Sequence, residues 1–168
     1  LPAVIATAPV PIVAAPGTGW VGIGGTQGGV TFEVDNTYTE QVVDQLVDPV
    51  GARLTKRACM VTFKAAETTI ANLQTAMNQL MTVGSGSGYA TADPQTTTSA
   101  TQPQYSALII DGWAPVLPSG GAARRRIIVR KVLSQAKIQF AFNMQSNAVY
   151  DFTFNAYYVS PSIPLFHD

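Results

Sequence analysis

The chain alternates from residue 30 onward. Val30, Phe32 and Val34 are apolar, and Thr31, Glu33 and Asp35 between and after them are polar. Successive side chains of a strand point to opposite faces, so this is the pattern of a half-buried β-strand. Cys59, Val61 and Phe63 share a second strand face over residues 58–64. Between the two, Tyr38 to Val47 reads as extended and polar, and Asp48-Pro49-Val50-Gly51 as a turn. The second half predicts four more strands: Tyr105 to Trp113, Arg126 to Leu133, Ile138 to Phe142 and Tyr150 to Tyr158. The last carries Tyr150, Phe152, Phe154 and Ala156 on one face.

One segment has a helical period. Ile70, Leu73, Met77 and Leu80 recur at offsets of three, four and three, which predicts a helix over about residues 68–81. Glu67, Thr68 and Thr69 are its possible N-caps, and Gly84 marks its end. Residues 82–104, rich in Gly, Ser, Thr, Pro and Gln, predict a long flexible loop. Pro2, Pro9, Pro11 and Pro16 keep the start out of any helix, so residues 1–19 read as an extended arm. Residues 161–168 read as a second arm. The domain between, 20–160, is expected to be mainly β: a sandwich or partly closed barrel flanked by one α-helix.

Composition changes the picture in one respect. Charged residues are 12% of the 168, against about 25% for an ordinary soluble protein. So few charges keep a monomer's surface poorly solvated, which predicts burial against copies or partners. A secreted all-β domain, with Ser, Thr, Asn and Gln in place of charges, is the other reading of that composition. The ten acids and ten bases cancel but are segregated. Glu33, Asp35, Glu40, Asp44 and Asp48 form one acidic stretch, and Arg53, Lys56 and Arg57 follow at once. Arg124, Arg125, Arg126, Arg130 and Lys131 supply half of the basic charge. Such segregation suits complementary faces on neighbouring subunits; solvated strand faces and loop tips account for it equally well.

Catalytic chemistry finds little support. Gly17-Thr18-Gly19-Trp20-Val21-Gly22 has the G-x-G-x-x-G spacing. A dinucleotide site needs a strand before it and a helix after it, whereas here a Pro-rich arm precedes and a strand follows. Ser134-Gln135-Ala136-Lys137 has the S-x-x-K spacing but lies between two strands, where a β-turn fits better. The single histidine, His167, is a poor candidate for a triad base, and with one cysteine it cannot build a zinc site of nitrogen and sulfur ligands. Cys59 alternates with Val61 and Phe63 and reads as a small buried apolar residue. Glu33 and Asp35 share a strand face roughly 7 Å apart, which suits a charged wall better than an acid–base pair. The Arg124–Arg126 cluster invites nucleic acid, but zero net charge and the core spacing of Phe152 and Phe154 argue against a stacking platform. No apolar run reaches eighteen residues, so no helical membrane span is expected, and the opening lacks the basic region of a signal peptide. No enzyme activity, metal or cofactor is expected.

The order of these elements resembles the major tail tube proteins of long-tailed bacteriophages. The likeness runs through Trp20-Val21-Gly22, Gly29-Val30-Thr31-Phe32-Glu33-Val34, Val47-Asp48-Pro49-Val50 and the basic residues to Arg57. It continues in Met60-Val61-Thr62-Phe63, Ala66-Glu67-Thr68 and the helix core Asn72 to Asn78. Arg125 to Val132, Asp151-Phe152-Thr153-Phe154-Asn155-Ala156-Tyr157, Pro161 and Phe166 are similar to the family's closing region. The 82–104 insert and the Pro-rich start depart from the pattern. The resemblance implies hexameric rings whose strands join across subunits into one inner wall, stacked around a tape measure protein and ended by terminator or tip proteins. The tube would conduct DNA, and the subunit would reside in the virion after assembly in the host cytoplasm. On that reading Glu33, Asp35, Glu40 and Asp44 are candidates to line the lumen, where negative charge lets DNA slide. Asp48, Pro49, Arg53, Lys56 and Arg57 are candidates for ring stacking, and the five residues of the Arg124–Lys131 group for contacts between subunits. The two arms would lie on a neighbouring subunit. Tailocins, gene-transfer particles and secretion tubes fit the same resemblance; an adhesin-like surface module is the rival from another class.

Overall fold

The computed structural model describes residues 19–78, 81–94, 103–113, 124–135, 137 and 148–168. Among these, eight strands and one short helix make the protein mainly β. β1 (Thr26–Gln41) and β2 (Gly51–Ala65) form a long antiparallel hairpin. α1 (Ile70–Met77) follows, then β3 (Met81–Gly86) and β4 (Tyr89–Pro94) as a separate two-stranded sheet. β5 (Ser106–Trp113), β6 (Arg124–Ser134) and β7 (Tyr150–Ala156) complete the main sheet in the order β1-β2-β7-β6-β5. β8 (Phe166–His167) adds to β6. The described strands do not close into a barrel: β1 and β5 are its two margins.

The alternation read from the sequence sets the register. Phe63 pairs with Phe152 and Val61 with Phe154, so the apolar faces of β2 and β7 coincide. Phe63, Phe152 and Phe154 stack nearly parallel, with ring centroids 5.0–6.0 Å apart. Val30, Phe32 and Val34 extend that face onto β1 opposite Phe63, Val61 and Cys59. β6 joins through an irregularity. Ser106 pairs with Val132 and Leu108 with Val129, so β6 carries one residue more than β5 over this step. The bulge lets Val129 and Val132, three residues apart, both enter the core.

The helix differs from its expected span and face. It starts at Ile70, where Thr69 caps it by accepting from the Asn72 backbone N–H at 3.2 Å. It ends at Met77 because Asn78 adopts a left-handed conformation (φ 50°), so Gly84 is not its terminus and instead lies within β3. Its buried residues are Asn72 and Ala76, while Leu73 packs at the edge of the core. Asn72 donates both side-chain hydrogens, to the Ile23 and Glu67 carbonyls, each at 2.8 Å. Ser134 donates its hydroxyl to the Ala76 carbonyl at 2.7 Å, tying α1 to β6. Helical period alone does not reveal a buried face held by an amide side chain.

The 82–104 loop contains the β3–β4 hairpin, closed by Ser87-Gly88 with the glycine at φ 84°. Its Gly, Ser, Thr and Ala side chains carry no apolar alternation, so pairing rather than pattern defines it. Residues 161–168 turn at 161–162, and β8 then pairs inside its own sheet instead of leaving as an arm. Residues 1–18 of the 1–19 arm and the strand at 138–142 lie outside the described residues. Phe152, 1% exposed and central to the aromatic stack, should be the costliest truncation. We expect Phe152→Ala to lower unfolding stability by about 3–5 kcal/mol, and Asn72→Ala by about 1–3 kcal/mol, in urea titrations.

Candidate assembly interface

β2 serves two partners of unequal reach. β1 pairs with it from Gly51 to Ala65, but β7 pairs only from Met60 to Ala65. Beyond Ala58 the hairpin is therefore a two-stranded ribbon, and every residue of it from Asp35 to Arg57 is exposed. Two devices hold the ribbon. Thr55 is an extra residue of β2 between the Thr37–Lys56 and Tyr38–Leu54 pairs, and such a bulge sharpens the twist. Its hydroxyl donates to the Thr37 carbonyl at 3.2 Å and accepts from Thr39 Oγ1 at 3.3 Å. Arg57 Nε donates to Asn36 Oδ1 at 3.3 Å across the strands.

The ribbon's tip is apolar and exposed to solvent. Val42, Val43, Leu46, Val47 and Val50 are all exposed, Val47 fully so. Tyr38 and Leu54, a cross-strand pair on the continuation of the core face, carry the apolar character back toward the root. A cluster of exposed apolar side chains at the end of a projection contributes nothing to its own core, which makes it a candidate contact surface.

The structure divides the acidic residues. Glu33 and Asp35 lie on the outer face of β1, opposite Met60 and Ala58. Glu40 lies on the other face opposite Ala52, and Asp44 belongs to the tip loop. Lys56 and Arg53 share the outer face with Glu33 and Asp35 but sit farther out, opposite Thr37 and Thr39. Asp48, Pro49, Arg53, Lys56 and Arg57 do come together on the one projecting hairpin, all exposed.

The second basic cluster is engaged within the chain. Arg126, buried, holds Asp111 of β5 with two hydrogen bonds, Nε to Oδ1 at 2.6 Å and a terminal nitrogen to Oδ2 at 2.7 Å. The Asp111 bond raises the Arg126 pKa further above its ordinary value. Arg125 makes a bidentate pair with Asp168. Arg124 lies over the Trp113 ring at 5.5 Å, and Lys131 over Tyr105 at 4.3 Å. Arg130 is buried. Of the five, only Arg124 and Arg125 are exposed, and Trp113 beside Arg124 is 76% exposed. Arg124 is already a candidate for contacts between subunits; the exposed Trp113 beside it, of a residue type that anchors interfaces, carries no such sign in the sequence. No local signal names it, because the pairing of β5 with β6 is what sets Trp113 opposite Arg124.

The groups weighed for chemistry have structural duties. Cys59 is buried, and burial pushes its thiol up to about 11, so it is held as an unreactive thiol at neutral pH. Ser134 is occupied by the helix carbonyl. Gly19 and Gly24 adopt left-handed conformations in an irregular segment that runs directly into β1, with no helix to receive a pyrophosphate. A side chain at Gly24 would meet the Glu67 carboxylate, whose Oε1 accepts from the Gly25 N–H at 3.1 Å.

No protein family model matches the chain, and no curated protein matches it.

If the tip is a contact surface and not part of the core, Val47→Asp should leave the unfolding midpoint within about 0.5 kcal/mol of the parent. The same change at Val61, 1% exposed, should cost several-fold more, because it buries a charge without a partner. Chemical denaturation followed by tryptophan fluorescence separates the two.

Proposed function

We propose that this chain is a structural subunit of a phage-type tail tube, in which hexameric rings stack into a hollow conduit for the viral genome. The observation that carries the reading is the bare ribbon from Asp35 to Arg57 with its exposed apolar tip. A side chain such as Val47 gains stability only when a neighbour covers it. The charge content agrees, since surface that becomes interior needs few charges. The two margins left open among the described strands agree as well, because a ring that shares strands removes edges that otherwise invite aggregation. In this reading the ribbon reaches the next ring, with its bases Arg53, Lys56 and Arg57 set behind the tip. Glu33 and Asp35, on the outer face of β1, are the acids best placed to form a negative wall toward the lumen. The sandwich-to-barrel closure of the tail tube fold belongs to the assembled ring, in which β1 and β5 find partners. Tape measure, terminator and tip proteins would be the further partners.

Self-association separates this reading from an adhesin-like module, which stays monomeric. Sedimentation and negative-stain imaging of the purified chain should reveal concentration-dependent rings or tubes roughly 100 Å across, the size of six small domains around a duplex-wide hole. The double variant Leu46→Asp/Val47→Asp should abolish stacking while keeping the parent's unfolding midpoint. A parent chain that stays monomeric at every concentration tested would sink the proposal.

A further inference from the structure

β6 has one continuous neighbour and one divided one. β5 pairs along one side from Arg124 to Val132. The other side is shared: β7 takes Val132 to Ser134, and β8 takes Ile128 and Val129. We propose that residues 165–168 form a detachable strap over the Ile128–Arg130 edge of β6, held shut by the Arg125–Asp168 ion pair. The strap opens as a unit of its own while the rest of the sheet stays paired.

The hold is small and identifiable. Its pairing is two residues deep, Phe166 opposite Val129 and His167 opposite Ile128. One more backbone bond, from the Arg130 N–H to the Leu165 carbonyl at 3.3 Å, closes its near end. The Phe166 ring stands edge-on to Phe32 of β1 at 5.1 Å, and both it and Leu165 are only half-buried. The far end is fixed by Arg125 Nε donating to Asp168 Oδ1 at 2.6 Å, with a second guanidinium nitrogen on Oδ2. Pro161 and Pro164 shape the approach, where Ser160 and Ile163 make an isolated bridge. Local opening is expected where few apolar contacts and exposed hydrogen bonds hold a segment. An open strap leaves a β6 edge and Phe32 uncovered, the conditions for pairing with another extended segment.

The ion pair makes the strap sensitive to acid. Arg125 from β6 and the imidazole of His167 from the strap itself face the Asp168 carboxylate, and the Arg125 hydrogen bond holds its pKa below the ordinary value. A carboxyl whose folded-state pKa is depressed contributes fully above its unfolded pKa. That contribution is lost as pH falls through the lower, folded value. The strap is therefore closed at neutral pH and loosens in acid.

Hydrogen exchange on the full chain reads this directly. The Arg130 amide reports the strap, while the Gln135 and Tyr157 amides, bonded to the Thr153 and Lys131 carbonyls, report the β6–β7 junction. With exchange corrected for its intrinsic pH dependence, Arg130 protection should fall before that of Gln135 and Tyr157 as pH is lowered through the Asp168 titration. Asp168→Asn should cut Arg130 protection about two- to fivefold at neutral pH, the range for an exposed pair, and flatten its pH response. Phe166→Ala should cut it roughly tenfold or more. The exchanged pair Arg125→Asp/Asp168→Arg should restore protection at neutral pH. Arg130, Gln135 and Tyr157 losing protection in step, or an Asp168→Asn chain with an unchanged Arg130-to-Gln135 ratio, would overturn the proposal.

Discussion

The structure turns on the unequal demands placed on β2. Over its last six residues the strand has partners on both sides and a packed face, and there the Phe63–Phe152–Phe154 stack forms. Over the preceding residues it has β1 alone. Apolar area in that C-terminal stretch is removed from water by the chain itself; in the stretch before it, it is not. One strand thus links the core of the domain to a projection that the core cannot stabilise, and the Thr55 bulge, with its hydroxyl bonded to the Thr37 carbonyl and the Thr39 hydroxyl, holds that projection locally.

At the opposite margin the limited charge is used inwardly. Arg126 with Asp111 and Arg125 with Asp168 fix β5 and β8 to β6, and Arg124 and Lys131 lie on aromatic rings. Arg126, with its carboxylate partner in place, carries a buried charge that would otherwise be costly. The hairpin's Arg53, Lys56 and Arg57 are left to the surface, so the segregation seen in the sequence becomes two different duties in space. One arginine group secures a sheet edge; the other decorates a projection.

Legibility from sequence varied by element. The core faces of β1, β2 and β7 were plain, because strict alternation is imposed by burial on one face. Thr69 is one of the caps the sequence offers, while the helix ends before its period implies: Leu80 extends the apolar period, but Asn78 turns the backbone before it. The β3–β4 hairpin was hidden because small polar residues pair without alternating. The hairpin residues Asp48 to Arg57 were brought together much as their closeness in sequence implies. The acids Glu33, Asp35, Glu40 and Asp44 were not, since a strand sends neighbours two apart to one face and odd-spaced ones to the other.

By itself the sequence determined a mainly β protein with one helix, a turn near Asp48-Pro49, a buried thiol at Cys59 and a scarcity of charge. These are local or compositional facts, set by side-chain periodicity and transfer to water. Only the tertiary structure decided that β7 stops short along β2, that Asn72 and not Leu73 is the helix's buried anchor, and that Arg126 and Asp168 are held by carboxylate and guanidinium partners far away in the chain. Those outcomes depend on which strands become neighbours and for how many residues, and long-range pairing leaves no local periodicity to read.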